Sequence, residues 1–165
     1  MSKKQINEAD QIEPELDSEI EEEFDEDEVE DGMLQDVRVL IVDDEKDVLD
    51  SITVAFESEG ALTLPAMDGD EAVRICEEDP PDLVILDMML PKRSGFLALE
   101  KIKGKEDSPI VIMVTANEGK RHQAYGESLG VDAYMLKPVP LALLLKKAVE
   151  LLDAKDEAEE LLDDA

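Results

Sequence analysis

The sequence predicts an α/β fold built on a five-stranded parallel sheet. The main observation is that five short apolar runs alternate with five segments of helical periodicity between residues 37 and 153. Such alternation is typical of a parallel sheet with helices on both faces. A chain of 165 residues is long enough for one such domain with additional segments. Aromatic residues make up only 3% of the chain, so the core is expected to be aliphatic.

The first repeat begins with the apolar run VRVLIV at 37–42, which predicts a buried strand. Residues 45–59 follow with apolar side chains on one helical face, and Gly60 is suited to end that helix. The run ALTLP at 61–65 predicts the second strand, and it carries no reactive residue at its end.

The central repeat contains two helices and the third strand. Residues 68–79 predict a helix for which Asp68 is a suitable cap. The run DLVIL at 82–86 predicts a buried strand, and residues 94–103 predict the next helix.

The last four elements complete the alternation. The run PIVIMV at 109–114 predicts the fourth strand, and 118–129 predicts a weaker, more polar helix. The run DAYML at 132–136 predicts the fifth strand, and the apolar-rich segment 139–153 predicts a strong last helix.

These elements restrict the topology of the sheet. Crossovers between parallel strands are right-handed, so few doubly wound arrangements remain. The first, third and fourth runs are the most apolar, as strands at the centre of a sheet should be. We therefore predict a flavodoxin-like sheet with the order 2-1-3-4-5 and a site where strands 1 and 3 separate.

The charge is strongly negative and unevenly distributed. The formal net charge is −29, from 45 acidic and 16 basic residues. Residues 1–36 predict a disordered acidic tail, because such dense charge opposes collapse. The segment 154–165 is a second acidic extension that can continue the last helix. A polyanion of this kind is not expected to bind nucleic acid, whose phosphates would repel it.

One pattern in the tail departs from simple disorder. Apolar side chains recur every four residues and would form one stripe on a helix: Ile12, Leu16, Ile20 and Phe24. A solvated tail and a segment that folds against a partner both remain open.

The single cysteine, Cys76, allows no internal disulfide and fits a packing role in a helix. The first residues lack the apolar core of a signal peptide, and no stretch approaches membrane-spanning length. We therefore expect a cytoplasmic protein with no membrane partner.

Reactive side chains follow four of the five strands. Asp43 and Asp44 come after the first strand, Asp87 after the third, Thr115 after the fourth and Lys137 after the fifth. Because parallel strands bring their carboxyl ends to one edge, these side chains are expected to converge there. Each residue alone has an ordinary structural interpretation, such as a cap, a turn or a solvated charge.

Crowded carboxylates are tolerable when a hard divalent cation lies among them, and Mg²⁺ prefers such oxygen ligands. A carboxylate can also act as a nucleophile and form an aspartyl phosphate. The ammonium of Lys137 can pair with a phosphoryl group, and the hydroxyl of Thr115 can donate to it. The edge therefore predicts magnesium-dependent phosphoryl transfer onto Asp87.

Five short motifs occur in a fixed order along the chain: VDD at 42–44, LDMMLP at 86–91, SGF at 94–96, TA at 115–116 and GVDAYMLKP at 130–138. Together they resemble the receiver domain of bacterial two-component response regulators. The resemblance covers about 37–153. It implies a signalling switch, rather than an enzyme, that accepts a phosphoryl group from a histidine kinase or phosphotransfer protein and assists its own phosphorylation and dephosphorylation.

The resemblance also implies residue roles. Asp87 matches the phosphoacceptor, and Asp43 and Asp44 match the acidic pair that holds Mg²⁺ together with Asp87 and the backbone carbonyl of Met89. Thr115 and Lys137 match the switch hydroxyl and the phosphate-binding lysine.

Three further matches concern the conformational switch and the lifetime of the phosphorylated form. Tyr134 matches the switch aromatic, and the bond between Lys137 and Pro138 matches one that is often cis. Met89 and Asn117 occupy positions that control the access of water to the acyl phosphate, so the apolar Met89 predicts slow self-dephosphorylation. The only histidine, His122, fits an exposed residue of a polar helix better than a phosphotransfer group.

Output is expected through a separate downstream protein, since 154–165 is too short for a DNA-binding or catalytic domain. A weak heptad pattern in the last helix suggests a partner or a second copy, so the chain is expected to be a monomer or weak homodimer. Three alternatives stay open: a flavodoxin-like electron carrier, an aspartate-nucleophile phosphatase, and a receiver-like binding module or phosphate sink. The loop DDEKD opposes the first of these, because it cannot cradle a phosphate.

Overall fold

The computed structural model describes residues 32–116 and 119–164. Five parallel strands form one sheet in the order β2-β1-β3-β4-β5, which confirms the predicted fold class. The strands are β1 (Arg38–Val42), β2 (Leu62–Ala66), β3 (Leu83–Leu86), β4 (Ile110–Thr115) and β5 (Ala133–Leu136). The helices are α1 (Lys46–Glu57), α2 (Gly69–Glu78), α3 (Gly95–Lys103), α4 (Lys120–Ser128) and α5 (Leu141–Asp164).

Two apolar layers enclose the sheet, because successive side chains of a strand point to opposite faces. In β1, Val39 and Ile41 join one buried cluster with side chains of α1 and α5. Leu40 and Val42 join the other cluster with side chains of α2 and α3. The central strands β1, β3 and β4 are almost wholly buried, which explains their continuous apolar runs.

Cys76 belongs to the second cluster, as its predicted packing role requires. Burial raises the pKa of its thiol to about 11. The thiol is therefore protonated at neutral pH and unreactive.

Helix α4 is the most polar helix of the domain, as predicted, and Gly126 is its one buried residue. Its exposed outer face carries His122 and Tyr125. The ring of Phe96 in α3 stacks on His122 at 6.0 Å and meets Tyr125 edge-on at 5.0 Å. Aromatic contacts thus compensate in part for the small apolar content of this helix.

The domain begins earlier than the predicted boundary at residue 37. Leu34 is fully buried in the first cluster. The amide of Leu34 donates to the carbonyl of Glu59 at 3.0 Å, and the amide of Asp36 donates to the carbonyl of Gly60 at 3.1 Å. Residues 32–36 therefore form part of the folded domain, which corrects the prediction of a disordered tail for these five positions.

The last helix, α5, continues without a break to Asp164, so the segment after residue 153 extends it, as the sequence allowed. Its first half supplies Leu144 and Ala148 to the core. Lys155, which interrupts the heptad pattern, donates from Nζ to the carbonyl oxygen of Ser108 at 3.1 Å.

Within 32–116 and 119–164, no helix has the length and apolar character needed to cross a membrane. The apolar stripe at Ile12, Leu16, Ile20 and Phe24 lies outside the described residues, and so does Asn117.

Replacing Asp68 with alanine is expected to lower the free energy of unfolding by about 1 kcal/mol. Its carboxylate caps α2 by accepting from the Glu71 amide at 2.8 Å, as predicted. This bond holds the pKa of Asp68 below its usual range, so the stabilisation is present at neutral pH and is lost as the pH falls through that lowered pKa. Urea unfolding at pH 7 measures the loss.

The matched control is Asp68→Asn, because asparagine caps helices about as well as aspartate. It should retain most of the stability. Equal losses in both variants would contradict the capping role.

Candidate functional site

The two aspartates after β1 and the aspartate after β3 meet at the carboxyl edge of the sheet. Strands β1 and β3 are hydrogen-bonded neighbours, and their last paired residues are Val42 and Leu86. Asp43 and Asp87 follow these residues directly, and the Asp87 amide donates to the Val42 carbonyl at 3.1 Å. The register of two central strands therefore fixes both carboxylates side by side.

The three carboxylates form a compact acidic cluster. Asp43, Asp44 and Asp87 each offer one oxygen, and these oxygens all lie within 4.8 Å of one another. Asp43 is only 2% exposed and Asp87 only 5%, whereas Asp44 is exposed. The cluster is therefore a recess with two buried carboxylates and one at the rim.

Lys137 reaches this recess from the other side. Its Nζ lies 2.7 Å from Oδ2 of Asp43 and 3.2 Å from Oδ2 of Asp87. Its backbone amide donates to the Thr115 carbonyl at 2.9 Å, so the end of β5 is tied to the end of β4. One ammonium group thus bridges the two buried carboxylates and offsets their mutual repulsion.

Backbone amides satisfy the remaining oxygens of the buried pair. The Glu45 amide donates to Oδ1 of Asp43 at 2.9 Å, and the Met89 amide donates to Oδ1 of Asp87 at 3.3 Å. Both donors come from the residue two positions along the chain. This local geometry orients each carboxylate before any ligand arrives.

The pKa values of two side chains in the recess, Asp87 and Lys137, are raised for different reasons. Burial raises the pKa of Asp87, and the nearby charge of Asp43 acts in the same direction, while Lys137 opposes both. Burial alone would lower the pKa of Lys137, but its bond to Asp43 and the charge of Asp87 outweigh burial and raise that pKa. Lys137 is therefore a permanent cation at neutral pH.

Four further residues named from the sequence have defined positions in the structure. Thr115 is fully buried and is the last residue of β4 rather than the first residue after it. Tyr134 in β5 is half-buried, and burial together with the charge of Asp87 raises the pKa of its phenol. Met89 is 66% exposed on the loop after β3. The bond between Lys137 and Pro138 is cis.

The donor set fits a magnesium ion. All three side chains offer hard carboxylate oxygens, and the exposed Asp44 leaves one side open to water. Mg²⁺ favours such oxygen ligands and retains several waters. Asp43, Asp44 and Asp87 are the residues that would hold the ion, and the Met89 carbonyl remains a prediction.

Two features of the site were missed in the sequence. The first is the bond between Lys137 and Asp43, since spacing alone does not show which carboxylate a lysine will meet. The second is Gly95, where an added Cβ would lie 2.1 Å from the Asp87 carbonyl oxygen. The Gly95 amide also donates to the Met88 carbonyl at 2.8 Å. In the sequence Gly95 appears only as the middle residue of the SGF motif at 94–96, which assigns it no contact with Asp87.

Known proteins share the sequence pattern and the fold of this chain. Residues 39–149, more than half of the chain, match the family model described as response regulator receiver domain. A receiver domain protein (CheY-like) from Methanospirillum hungatei JF-1 is 32% identical, with a TM-score of 0.72, over 75% of this chain and 99% of that chain.

Two further solved structures are similar. The CheX-CheY-BeF3-Mg complex from Borrelia burgdorferi contains a chain that is 30% identical, with a TM-score of 0.66, over 70% of this chain and 88% of that one. The receiver domain of Francisella response regulator 1452 is 27% identical, with a TM-score of 0.67, over 73% of this chain and 99% of that one.

Replacing Gly95 with alanine is expected to lower the free energy of unfolding by about 2–3 kcal/mol, because the new methyl group would push the loop that carries Asp87. Urea unfolding measures this loss, and the Mg²⁺ affinity of the folded variant should fall with it. The control is Gly104→Ala at the end of α3, where the backbone is helical and the nearest atom is 3.1 Å away. A control that loses as much stability as Gly95→Ala would contradict the steric account.

Proposed function

The chain belongs to the response regulator receiver domain family, and from this premise we propose that it is a phosphorylation-activated signalling switch. In this proposal Asp87 accepts a phosphoryl group from a phosphohistidine of a sensor kinase or phosphotransfer protein, in a Mg²⁺-dependent reaction. The phosphorylated form then signals by binding a separate partner protein.

One observation carries the proposal. The carboxylates of Asp43, Asp44 and Asp87 lie within one recess, and the Lys137 ammonium contacts two of them. A structural ion pair needs no third carboxylate, and a third one raises the repulsion. A site for a cation and a phosphoryl group explains all four groups together.

The proposed transfer requires Asp87 to act as a nucleophile. An oxygen of its carboxylate attacks phosphorus, a new P–O bond forms, and the P–N bond to the donor histidine breaks. The histidine nitrogen keeps the electron pair. Lys137 favours the carboxylate form of Asp87 and neutralises charge on the phosphoryl oxygens, and a bound Mg²⁺ supplies further charge neutralisation. The chain thus assists a transfer in which it is itself the acceptor, rather than turning over a substrate.

The proposed switch runs from Thr115 to α4. Thr115 ends β4 beside the recess, and Tyr134 lies on the neighbouring strand β5. A Cβ at Gly126 of α4 would lie 3.7 Å from Cδ2 of Tyr134, so the tyrosine ring packs close to this helix. Movement of Thr115 toward a phosphoryl group would leave space for Tyr134 to follow, and α4 would then repack. A contact that differs between the two states is what phosphorylation needs to shift their populations.

The proposal is tested with phosphoramidate, a small donor whose P–N bond resembles that of phosphohistidine. With Mg²⁺, the protein should gain one phosphoryl group, measured by intact mass, and Asp87→Asn should gain none. EDTA should abolish the gain in the unaltered protein. Asp47→Asn is the matched control, because Asp47 is an exposed carboxylate of α1 outside the recess. It should be phosphorylated normally.

A magnesium titration separates the remaining alternatives. Asp44→Asn should weaken Mg²⁺ binding at least tenfold, because a carboxylate ligand is lost. Binding of Mg²⁺ with no phosphorylation from any donor would favour a receiver-like binding module. Failure of both measurements would remove the proposed function.

Replacing Met89 with asparagine is expected to shorten the lifetime of the phosphorylated form several-fold. The exposed thioether two residues after Asp87 limits the approach of water, whereas an amide can orient water toward the acyl phosphate. Loss of mass after removal of the donor gives the lifetime. Met89→Leu keeps the apolar bulk and should decay at the original rate. An unchanged lifetime in Met89→Asn would count against a shielding role.

A further inference from the structure

The carboxyl-terminal part of α5, which we call the α5 extension (residues 154–164), carries exposed leucines. All side chains from Asp156 to Asp163 are exposed. Leu161 is 72% exposed and Leu162 is 76% exposed. Among the described residues, no core contact explains why apolar side chains occupy these positions.

The α5 extension continues a helix that is held against the domain by apolar contacts and a hydrogen bond. Leu151 and Leu152 pack partly against the first apolar cluster. One turn later, the Nζ of Lys155 bonds to the Ser108 carbonyl at 3.1 Å. Starting a helix is the costly step, whereas adding residues to a fixed helix is nearly neutral. The anchor therefore presents the last two turns in helical form.

The apolar side chains of the α5 extension form one stripe. At 100° per residue, Ala158, Leu161 and Leu162 fall within about 100° of the helix circumference. Glu157 and Glu159 stand about 100° to either side of Ala158, so an acidic residue borders each edge of the stripe. This arrangement is typical of a helix that lays its apolar face into a groove.

The charge of the α5 extension indicates which kind of molecule can bind to it. It contains one lysine and six acidic residues, which gives 1 − 6 = −5: Asp156, Glu157, Glu159, Glu160, Asp163 and Asp164. A second copy would bring an identical acidic border against the first, and like charges at these flanking positions oppose pairing. Nucleic acid and anionic membranes are repelled for the same reason.

From these observations we infer that the α5 extension docks into an apolar groove of a partner protein whose rim is lined with lysine or arginine. The leucines supply apolar contact, and the acidic borders supply complementary charge and orientation. This surface goes beyond the proposed switch, because it involves neither Asp87 nor α4.

The position of the α5 extension suits a docking site that is independent of phosphoryl transfer. Helix α5 begins after β5 at the carboxyl edge, where the acidic recess lies, and spans about 35 Å at 1.5 Å per residue. Ser108, which binds Lys155, precedes β4 at the opposite edge. A partner held there leaves the recess open to a phosphodonor protein.

Site-specific photo-crosslinking of the full chain, in cells that naturally produce it, tests the inference. A photoreactive phenylalanine derivative replaces Leu161 in one variant and Glu160, on the opposite face, in the control. The variant at 161 should form an adduct with one protein, and the crosslinked peptide should come from an apolar groove bordered by basic residues. The control should form much less of that adduct.

The purified partner then provides an affinity measurement. The double variant Leu161→Ala, Leu162→Ala should bind it at least tenfold more weakly, and higher salt should weaken binding of the unaltered chain. Glu160→Gln, on the far face, should change the affinity less than threefold. These variants should still accept a phosphoryl group at Asp87, so failure of the docking surface and failure of the proposed function give different results.

Several results would overturn the inference. They are equal adducts from positions 160 and 161, no adduct at all, an adduct with a second copy of the chain, and an adduct with nucleic acid or lipid. A partner groove lined by acidic residues would also contradict it, since the borders of the stripe would then be repelled.

Discussion

The repulsion between neighbouring carboxylates at the end of a buried sheet is the constraint on which the site depends. Asp43 and Asp87 are fixed by the register of β1 and β3, so they cannot move apart without disturbing the centre of the sheet. The Lys137 ammonium offsets their negative charges, with Nζ 2.7 Å from Asp43 Oδ2 and 3.2 Å from Asp87 Oδ2. Removing one member of such a buried set leaves an uncompensated charge, which is far more costly than the net gain from the intact set.

The fold makes this arrangement rigid on one side and adjustable on the other. The acidic residues follow β1 and β3, which are buried between two apolar layers. Tyr134 and α4 lie toward the β5 edge, where the strand is only half-buried and the helix has one buried residue. Regions with few buried contacts open at lower free energy than the core. The side of the site formed by β5 and α4 is therefore expected to adjust more easily than the side formed by β1 and β3.

The sequence predicted the sheet and the convergence of the strand ends because both depend on strong local patterns. Central strands read as continuous apolar runs, and parallel strands must place their ends at one edge. The early start of the domain was missed, because Met33 and Leu34 are only an isolated apolar pair next to a long acidic segment, a pattern that indicates solvated chain. The sequence left the continuation of α5 beyond residue 153 open, since Lys155 interrupts the apolar pattern; in the structure Lys155 bonds to the Ser108 carbonyl and the helix continues. Gly95 was missed because only coordinates show how close a backbone comes.

The turn formed by residues 32–36 has a practical consequence for recombinant versions of this protein. Leu34 fills a position in the apolar layer beneath α1 and α5, and its amide completes the bonding of Glu59. A shortened version that starts at Gly32 keeps this side chain, whereas one that starts at Val37 opens a void in the core and frees the Glu59 carbonyl. Shortened versions of the protein should therefore retain residues 32–36.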